Sequence, residues 1–201
     1  MGADPATLAF YDREAPAYAG YSAESAGDGW LEQFADGLAE GARVLDFGCG
    51  SGWAADWFAR KGFAVDALDG SAGLAGEAAE RYGLDVRVCR FDDFTDRDRY
   101  DGIWASFCLL HDSRDAMPRH LARLNAALKP GGRLYLGLKA GAGERRDTLG
   151  RRYTHYDHDE IEALLAKAGF EQIDATVLAS RGYDGSDEIV LHILAQRSAD
   201  A

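Results

Sequence analysis

Residues 44–52, Val-Leu-Asp-Phe-Gly-Cys-Gly-Ser-Gly, constrain the fold of this chain more than any other segment. A short apolar stretch runs into three glycines at alternate positions, and an alanine-rich helical pattern starts at Trp53. Glycine has no Cβ, so such a loop lets a ligand approach the backbone and the start of the helix. The spacing is G-x-G-x-G, with Trp53 at the sixth position where dinucleotide-binding loops carry a third glycine. The segment therefore predicts a strand, a ligand-binding loop and a helix.

Strand and helix patterns alternate from about residue 42 onward, which predicts an α/β fold with a doubly wound, mostly parallel sheet. The predicted strands are residues 44–47, 63–68, 86–91, 100–107, 133–138, 170–178 and 188–195. The last two follow each other without a helix, so one of them is expected to be antiparallel. We expect a single domain over residues 1–201. Residues 1–41 are expected to form a helical cap or lid, with helices near 5–18 and 30–40.

Composition and charge narrow the class of partner. The chain has 201 residues, 47% of them hydrophobic, and a formal net charge of −12. An acidic chain of this kind is poorly suited to nucleic acid, so a small-molecule partner is expected. We see neither a leader pattern nor an apolar run of about 18 residues, and we expect no membrane contact. The three cysteines have no metal-ligand spacing, which predicts reduced thiols, a cytoplasmic location and no metal.

Polar or glycine residues follow the first three predicted strands. The glycine loop follows the first, Asp69 and Gly70 the second, and residues 91–93 the third. Ligands of doubly wound sheets bind beyond the carboxyl ends of the strands. A carboxylate at the end of the second strand is positioned to accept hydrogen bonds from ribose hydroxyls. The sequence therefore predicts a nucleoside-containing ligand at this edge.

Four ordered segments resemble the motifs of class I S-adenosylmethionine-dependent methyltransferases: residues 46–52, Asp69, 100–103 and 128–134. Residues 104–111 and 141–153 are similar to the small-molecule group related to tellurite-resistance methyltransferases. The resemblance covers nearly the whole chain. It implies a Rossmann-like seven-stranded sheet of order 3-2-1-4-5-7-6 with an antiparallel last strand. It also implies methyl transfer from S-adenosyl-L-methionine to a small-molecule acceptor, with S-adenosyl-L-homocysteine as product.

The resemblance also implies which residues bind the cofactor. The glycine loop would hold its methionine part, Asp69 the ribose, and the residues after the third strand the adenine. The lid helix would cover the cofactor. The implied cofactor-binding residues are Asp46, Gly48, Cys49, Gly50, Asp69, Gly70, Phe91, Asp92, Ala105 and Tyr18.

Methyl transfer is a displacement at carbon that depends largely on alignment of the reactants. A general base is needed only if the acceptor starts protonated. His111 follows the fourth strand and titrates near neutral pH, so we predict it as that base. A packing or capping histidine is the competing interpretation.

Basic residues concentrate between the fifth strand and the next helix. Lys139, Arg146 and Arg152 are predicted to bind an anionic acceptor, together with Tyr11 of the lid. A solvated loop whose arginines pair with nearby acidic residues is the competing interpretation. Two other functions fit the same fold: an NAD(P)-binding oxidoreductase, which Trp53 argues against, and a non-catalytic S-adenosylmethionine-binding module.

Overall fold

The computed structural model describes residues 4–24 and 29–199, and it is built around a seven-stranded sheet. The strand order is β3-β2-β1-β4-β5-β9-β8. The strands of this sheet are β1 Arg43–Phe47, β2 Ala64–Asp69, β3 Val86–Val88, β4 Tyr100–Ser106, β5 Leu128–Lys139, β8 Phe170–Arg181 and β9 Asp187–Arg197. The first five pair in parallel, and β9 runs antiparallel to both β5 and β8. The predicted fold class and strand order are confirmed.

Helices cover both faces of the sheet and create two apolar cores. The helices are α1 Pro5–Glu24, α2 Trp30–Ala35, α3 Trp53–Arg60, α4 Ala72–Tyr82, α5 Met117–Ala127 and α6 His158–Lys167. Leu45 and Ile103 pack on one face, whereas Val44 and Trp104 pack on the other. Neighbouring residues of a strand point to opposite faces, so each strand contributes to both cores. Fully burying one such aliphatic side chain contributes about 1.5–3 kcal/mol. Among the described residues, no helix is long and apolar enough to cross a membrane.

Capping residues explain where the helices begin and end. The Ser71 hydroxyl accepts a hydrogen bond from the Leu74 amide at 3.1 Å and begins α4. Gly83 ends the same helix with φ of 68°, a conformation that favours glycine. Asp157 begins α6 by accepting from the Glu160 amide at 2.8 Å.

Several elements differ from their predicted bounds. The third strand ends at Val88, and Phe91–Asp93 form a single 3-10 turn instead of its last residues. The fifth strand begins at Leu128 instead of residue 133, and its pairing with β4 jumps from Leu128 to Arg133, which leaves a bulge between them. Helix α1 extends to Glu24, six residues further than expected for residues 5–18.

A hairpin that the sequence did not predict lies between β5 and α6. Its strands are β6 Glu144–Arg146 and β7 Arg152–Thr154, which pair antiparallel. The segment is short and rich in arginine and glycine, so it lacks the alternating apolar pattern that marks a strand. This β6–β7 hairpin contacts α1 and brings part of the basic segment to the ligand edge of the sheet.

Candidate functional site

The glycine loop between β1 and α3 adopts backbone angles that explain its composition. Gly48, Gly50 and Gly52 have φ of 72°, 55° and 83°. These values lie in the left-handed region, where side chains are disfavoured. A Cβ on Gly48 would also collide with Cys108. Beside Gly50 there is open space, because the nearest atom to a Cβ there would be Tyr18 Cε1 at 3.9 Å. The loop therefore leaves room for a ligand between its backbone and α1.

Two carboxyl groups flank this loop. Asp69 accepts hydrogen bonds from the Gly50 and Ser71 amides, each at 2.8 Å. Asp46 is 2% exposed and accepts from the Ala55 amide at 3.0 Å. Burial, together with the neighbouring charge of Asp69, raises the pKa of Asp46 to about 8. Burial also raises the pKa of Asp69. A bound cation would favour the ionised form of both groups.

Two cavities meet at this edge of the sheet. A narrow cavity of about 80 Å³ runs under α1, past Asp69, Gly70 and Phe91. A wide cavity of about 480 Å³ also borders the glycine loop and reaches Lys139 and Arg151. The residues that line both cavities are Tyr11, Tyr18, Gly48, Gly50, Ser106, Phe107 and His111. The two spaces therefore share a boundary where molecules in each would meet.

Helix α1 forms the roof of the narrow cavity and is held there by polar contacts. Asp12 accepts a hydrogen bond from the Ser71 hydroxyl at 2.6 Å and from the Gly73 amide at 3.1 Å. On the other side, the Thr7 hydroxyl accepts from the Arg152 amide of the β6–β7 hairpin at 2.9 Å. The roof is thus tied both to α4 and to the hairpin.

His111 lies at the shared boundary in a directed hydrogen-bond chain. Its Nδ1 is 2.7 Å from the carbonyl oxygen of Arg152, and its Nε2 is 2.9 Å from the hydroxyl of Tyr11. A carbonyl oxygen only accepts, so we assign the imidazole hydrogen to Nδ1 and Nε2 accepts from Tyr11. Arg151 donates to the same Tyr11 oxygen at 3.1 Å. Burial lowers the pKa of His111 to about 4, so the imidazole is neutral at pH 7.

Three cations line the wide cavity, Lys139, Arg151 and the exposed Arg181, and the first two are paired with carboxylates. The Arg151 side chain is 2% exposed, and its Nη2 lies 2.7 Å from an Asp147 carboxylate oxygen. Lys139 pairs with Glu188, and its Nζ lies 3.4 Å from the centre of the Tyr153 ring. Burial lowers the pKa of Lys139. The positive charge in this cavity is therefore largely compensated by acidic partners.

Most of the residues predicted to bind a cofactor lie at the cavities. Eight of them line the narrow cavity, the wide cavity or both: Asp46, Gly48, Cys49, Gly50, Asp69, Gly70, Phe91 and Tyr18.

Two of the predicted cofactor residues lie elsewhere. Ala105 is fully buried in the core, whereas the next residue, Ser106, lines both cavities. Successive residues of a strand point to opposite faces, so only one of the two can face the cavities. Asp92 pairs with Arg123 at 2.7 Å and does not line either cavity, whereas Arg90 lines the narrow one.

The structure also divides the residues predicted to bind the acceptor. Tyr11 and Lys139 line the wide cavity, but Arg146 and Arg152 do not. Arg146 pairs with Asp4 at 2.7 Å, and Arg152 pairs with Glu144. Acidic neighbours hold both side chains outside the cavity, so the structure does not bring these two arginines to Tyr11 and Lys139. Arg151, which belongs to the same basic segment, is the arginine that reaches the cavity.

Two aromatic residues of β4 and its end were not predicted as part of the site. Trp104 lines the wide cavity and stacks on Tyr135 with 3.6 Å between ring centres. Its Nε1 is buried and has no hydrogen-bond partner among the described residues. Phe107 has φ of 51°, which is uncommon for a non-glycine residue. Their position in the last part of a central strand, near its carboxyl end, is the sequence feature that could have predicted them as site residues.

The comparisons with known proteins agree with this geometry. A family profile described as "Methyltransferase domain" matches residues 18–175. The methyltransferase GfsG of Streptomyces halstedii is 33% identical over 175 residues, which are 75% of this chain and 61% of that protein. The chain thus spans less than two thirds of the length of this relative.

Solved structures share the fold over nearly the whole chain. The 1,6-didemethyltoxoflavin-N1-methyltransferase of Burkholderia thailandensis, solved with 1,6-didemethyltoxoflavin and S-adenosylhomocysteine, has a TM-score of 0.74. It is 25% identical, and the match covers 96% of this chain and 88% of that one. The [4+2]-cyclase SpnF has a TM-score of 0.73 at 20% identity, with 98% and 99% of the two chains covered. The second match indicates the fold alone.

Proposed function

This chain belongs to the methyltransferase-domain family, and on that premise we propose that it transfers the methyl group of S-adenosylmethionine to a small-molecule acceptor. The single observation that carries this proposal is the pair of joined cavities at the glycine loop. The narrow cavity has residues suited to the nucleoside part of the cofactor, and the wide cavity has room for the methyl acceptor. Small-molecule sites typically measure about 300–1,000 Å³, and the wide cavity falls in this range at about 480 Å³.

The residues at the loop fit S-adenosylmethionine. Asp69 and Phe91 border the narrow cavity, where a ribose acceptor group and an aromatic face are needed. The open space beside Gly50 and the buried carboxyl of Asp46, whose ionised form a bound cation would favour, suit a cationic ligand close to the backbone. When bound, this cofactor supplies a methyl group activated by a positively charged sulfur.

The protein contributes alignment and exclusion of water. Helix α1 closes the narrow cavity through Tyr11 and Tyr18, and its polar contacts hold it over the glycine loop. Alignment of two bound reactants can provide effective molarities of about 10⁵ M or more. We therefore propose residues 1–41 as a lid on one methyltransferase domain that spans residues 1–201. Residues 1–3 and 25–28 of this segment lie outside the described residues.

Tyr11 and His111 are proposed to remove the proton of an acceptor that starts protonated. The acceptor's proton would pass to the Tyr11 oxygen while the Tyr11 hydrogen passes to Nε2 of His111. The 2.9 Å contact supports this transfer, and the low pKa keeps His111 free of a second proton at neutral pH. The competing interpretation, a packing histidine, predicts no loss of turnover in a variant that still folds.

The acceptor is proposed to be small and anionic. The three cations of the wide cavity, Lys139, Arg151 and Arg181, support this, and the net charge of −12 disfavours nucleic acid. Cys49, Cys89 and Cys108 are free thiols, which supports a cytoplasmic location. Within the family, the likeness of residues 104–111 and 141–153 supports the group related to tellurite-resistance methyltransferases.

Calorimetry with S-adenosylmethionine, S-adenosylhomocysteine, NAD and NADP tests whether the protein is a methyltransferase or an oxidoreductase. We expect both sulfur compounds to bind and neither dinucleotide to do so. Binding of NAD or NADP alone would replace the proposal with an oxidoreductase. Methyl transfer is then measured with labelled cofactor and a panel of small anionic acceptors. Cofactor binding without turnover across the panel would favour a non-catalytic binding module.

A further inference from the structure

Flat aromatic rings from the sheet and from the lid line the wide cavity. Phe107 lies on the sheet side, whereas Tyr18 and Tyr21 of α1 and Tyr183 of the β8–β9 turn lie on the lid side. We infer that the methyl acceptor is a planar aromatic molecule that lies against Phe107 and carries a hydroxyl group and one carboxylate. This inference rests on the proposed function and specifies the acceptor of the same site.

Phe107 is held in its position despite an unfavourable backbone. Its φ of 51° is one of three positive values among the described non-glycine residues. The Phe107 amide donates to the Gly137 carbonyl at 3.0 Å, and a Cβ on Gly137 would approach the Phe107 ring to 3.1 Å. His192 meets the same ring edge-on, with 5.7 Å between ring centres. Backbone strain of this kind clusters at functional sites, and here it aims a ring at the junction of the two cavities.

The lid side is a continuous set of tyrosine rings. Tyr11 meets Tyr18 with 4.9 Å between ring centres, Tyr18 meets Tyr183 at 5.2 Å, and Tyr183 meets Tyr21 at 4.9 Å. All three contacts are edge-to-face, so the rings fix one another's orientation. A flat aromatic molecule can stack on or meet such rings edge-on, whereas a saturated ring of similar size cannot. The two walls therefore favour a planar acceptor.

The polar groups of the cavity define the substituents. The hydrogen of Tyr11 is directed to His111, and Arg151 donates to the Tyr11 oxygen. The remaining lone pair of that oxygen can only accept, so it selects an acceptor with an O–H or N–H group. Lys139 and Arg151 attract an anion, but each already has an acidic partner. The third cation of the cavity, Arg181, is exposed and donates to the Gly185 carbonyl. One carboxylate is thus a better match than a doubly charged phosphate.

The test compares planar and saturated acceptors of equal charge. Protein saturated with S-adenosylhomocysteine is titrated with para-hydroxybenzoate and hydroxynaphthoate, and with their saturated counterparts, hydroxycyclohexanecarboxylate and hydroxydecahydronaphthoate. We expect at least one planar compound to bind about three- to tenfold more tightly than its counterpart. Equal affinities, or no binding of either planar compound, would overturn the inference.

The variant Phe107→Leu separates ring stacking from general apolar contact. Leucine keeps an apolar side chain at the same backbone position but has no flat face. The preference for the planar compound should fall to less than about twofold, and binding of the saturated compound should stay the same. Phe63→Leu is the matched control, because Phe63 packs against α3 outside both cavities. An unchanged preference in Phe107→Leu would overturn the inference.

Binding of S-adenosylhomocysteine distinguishes a wrong acceptor class from a wrong proposed function. If it binds and the planar preference is missing, the acceptor class is wrong and the proposed function stands. If it does not bind to folded protein, the proposed function fails and the acceptor class fails with it.

Discussion

His111 should make the free energy of unfolding of this protein decrease at acidic pH. A substitution of His111 by a residue that does not titrate should remove this contribution. Burial lowers its pKa from the ordinary 6.5 to about 4 in the folded protein. As the pH falls below 6.5, the unfolded chain gains a proton that the folded protein does not bind. Stability is therefore present above pH 6.5 and is lost as the pH falls toward 4. The full loss is about 3 kcal/mol, because one pKa unit corresponds to about 1.4 kcal/mol.

Urea unfolding at about pH 7.5 and pH 5 measures this contribution. At pH 5 most of the unfolded chains carry the extra proton, so His111 accounts for about 2 kcal/mol of the loss between the two conditions. The variant His111→Gln lacks the titrating group, and we expect it to lose about 2 kcal/mol less than the wild type. His158→Gln, at the exposed start of α6, controls for the removal of a histidine from the chain. Equal losses in the wild type and His111→Gln would refute a buried neutral imidazole.

Four further substitutions test the site. Asp69→Ala should weaken S-adenosylhomocysteine binding roughly ten- to hundredfold by calorimetry, because buried hydrogen bonds are lost; unchanged affinity would remove Asp69 from the site. Gly50→Val should abolish that binding by filling the space beside the loop, and normal binding by the folded variant would contradict the loop assignment. Tyr11→Phe should lower kcat at least tenfold while cofactor affinity stays within about twofold; a wild-type rate would leave His111 without its proposed relay. Arg146→Ala should leave the acceptor KM unchanged, because its partner is Asp4, and a large increase would return Arg146 to the substrate site.

The central part of the site was predictable from local sequence. Three glycines at alternate positions after an apolar strand have few structural solutions, since only glycine adopts left-handed angles freely. Asp69 follows the next strand, and parallel strands bring their carboxyl ends to one edge. The prediction was least precise where one residue decides the outcome: Ala105 and Ser106 point to opposite faces, and the sequence pattern alone did not determine which of them faces the cavities.

Contacts between distant segments decided the rest. Tyr11 and His111 are 100 positions apart, and no local pattern could join them. The basic segment contains several arginines, and their different contacts depend on the folded β6–β7 hairpin. Arg151 donates to Tyr11 at the cavity, whereas Arg146 pairs with Asp4. The sequence by itself determined the sheet and the glycine loop, because these depend on backbone conformation and the periodicity of apolar residues. Only the tertiary structure decided which charges and rings face the acceptor, because that depends on which partners other segments bring within hydrogen-bonding distance.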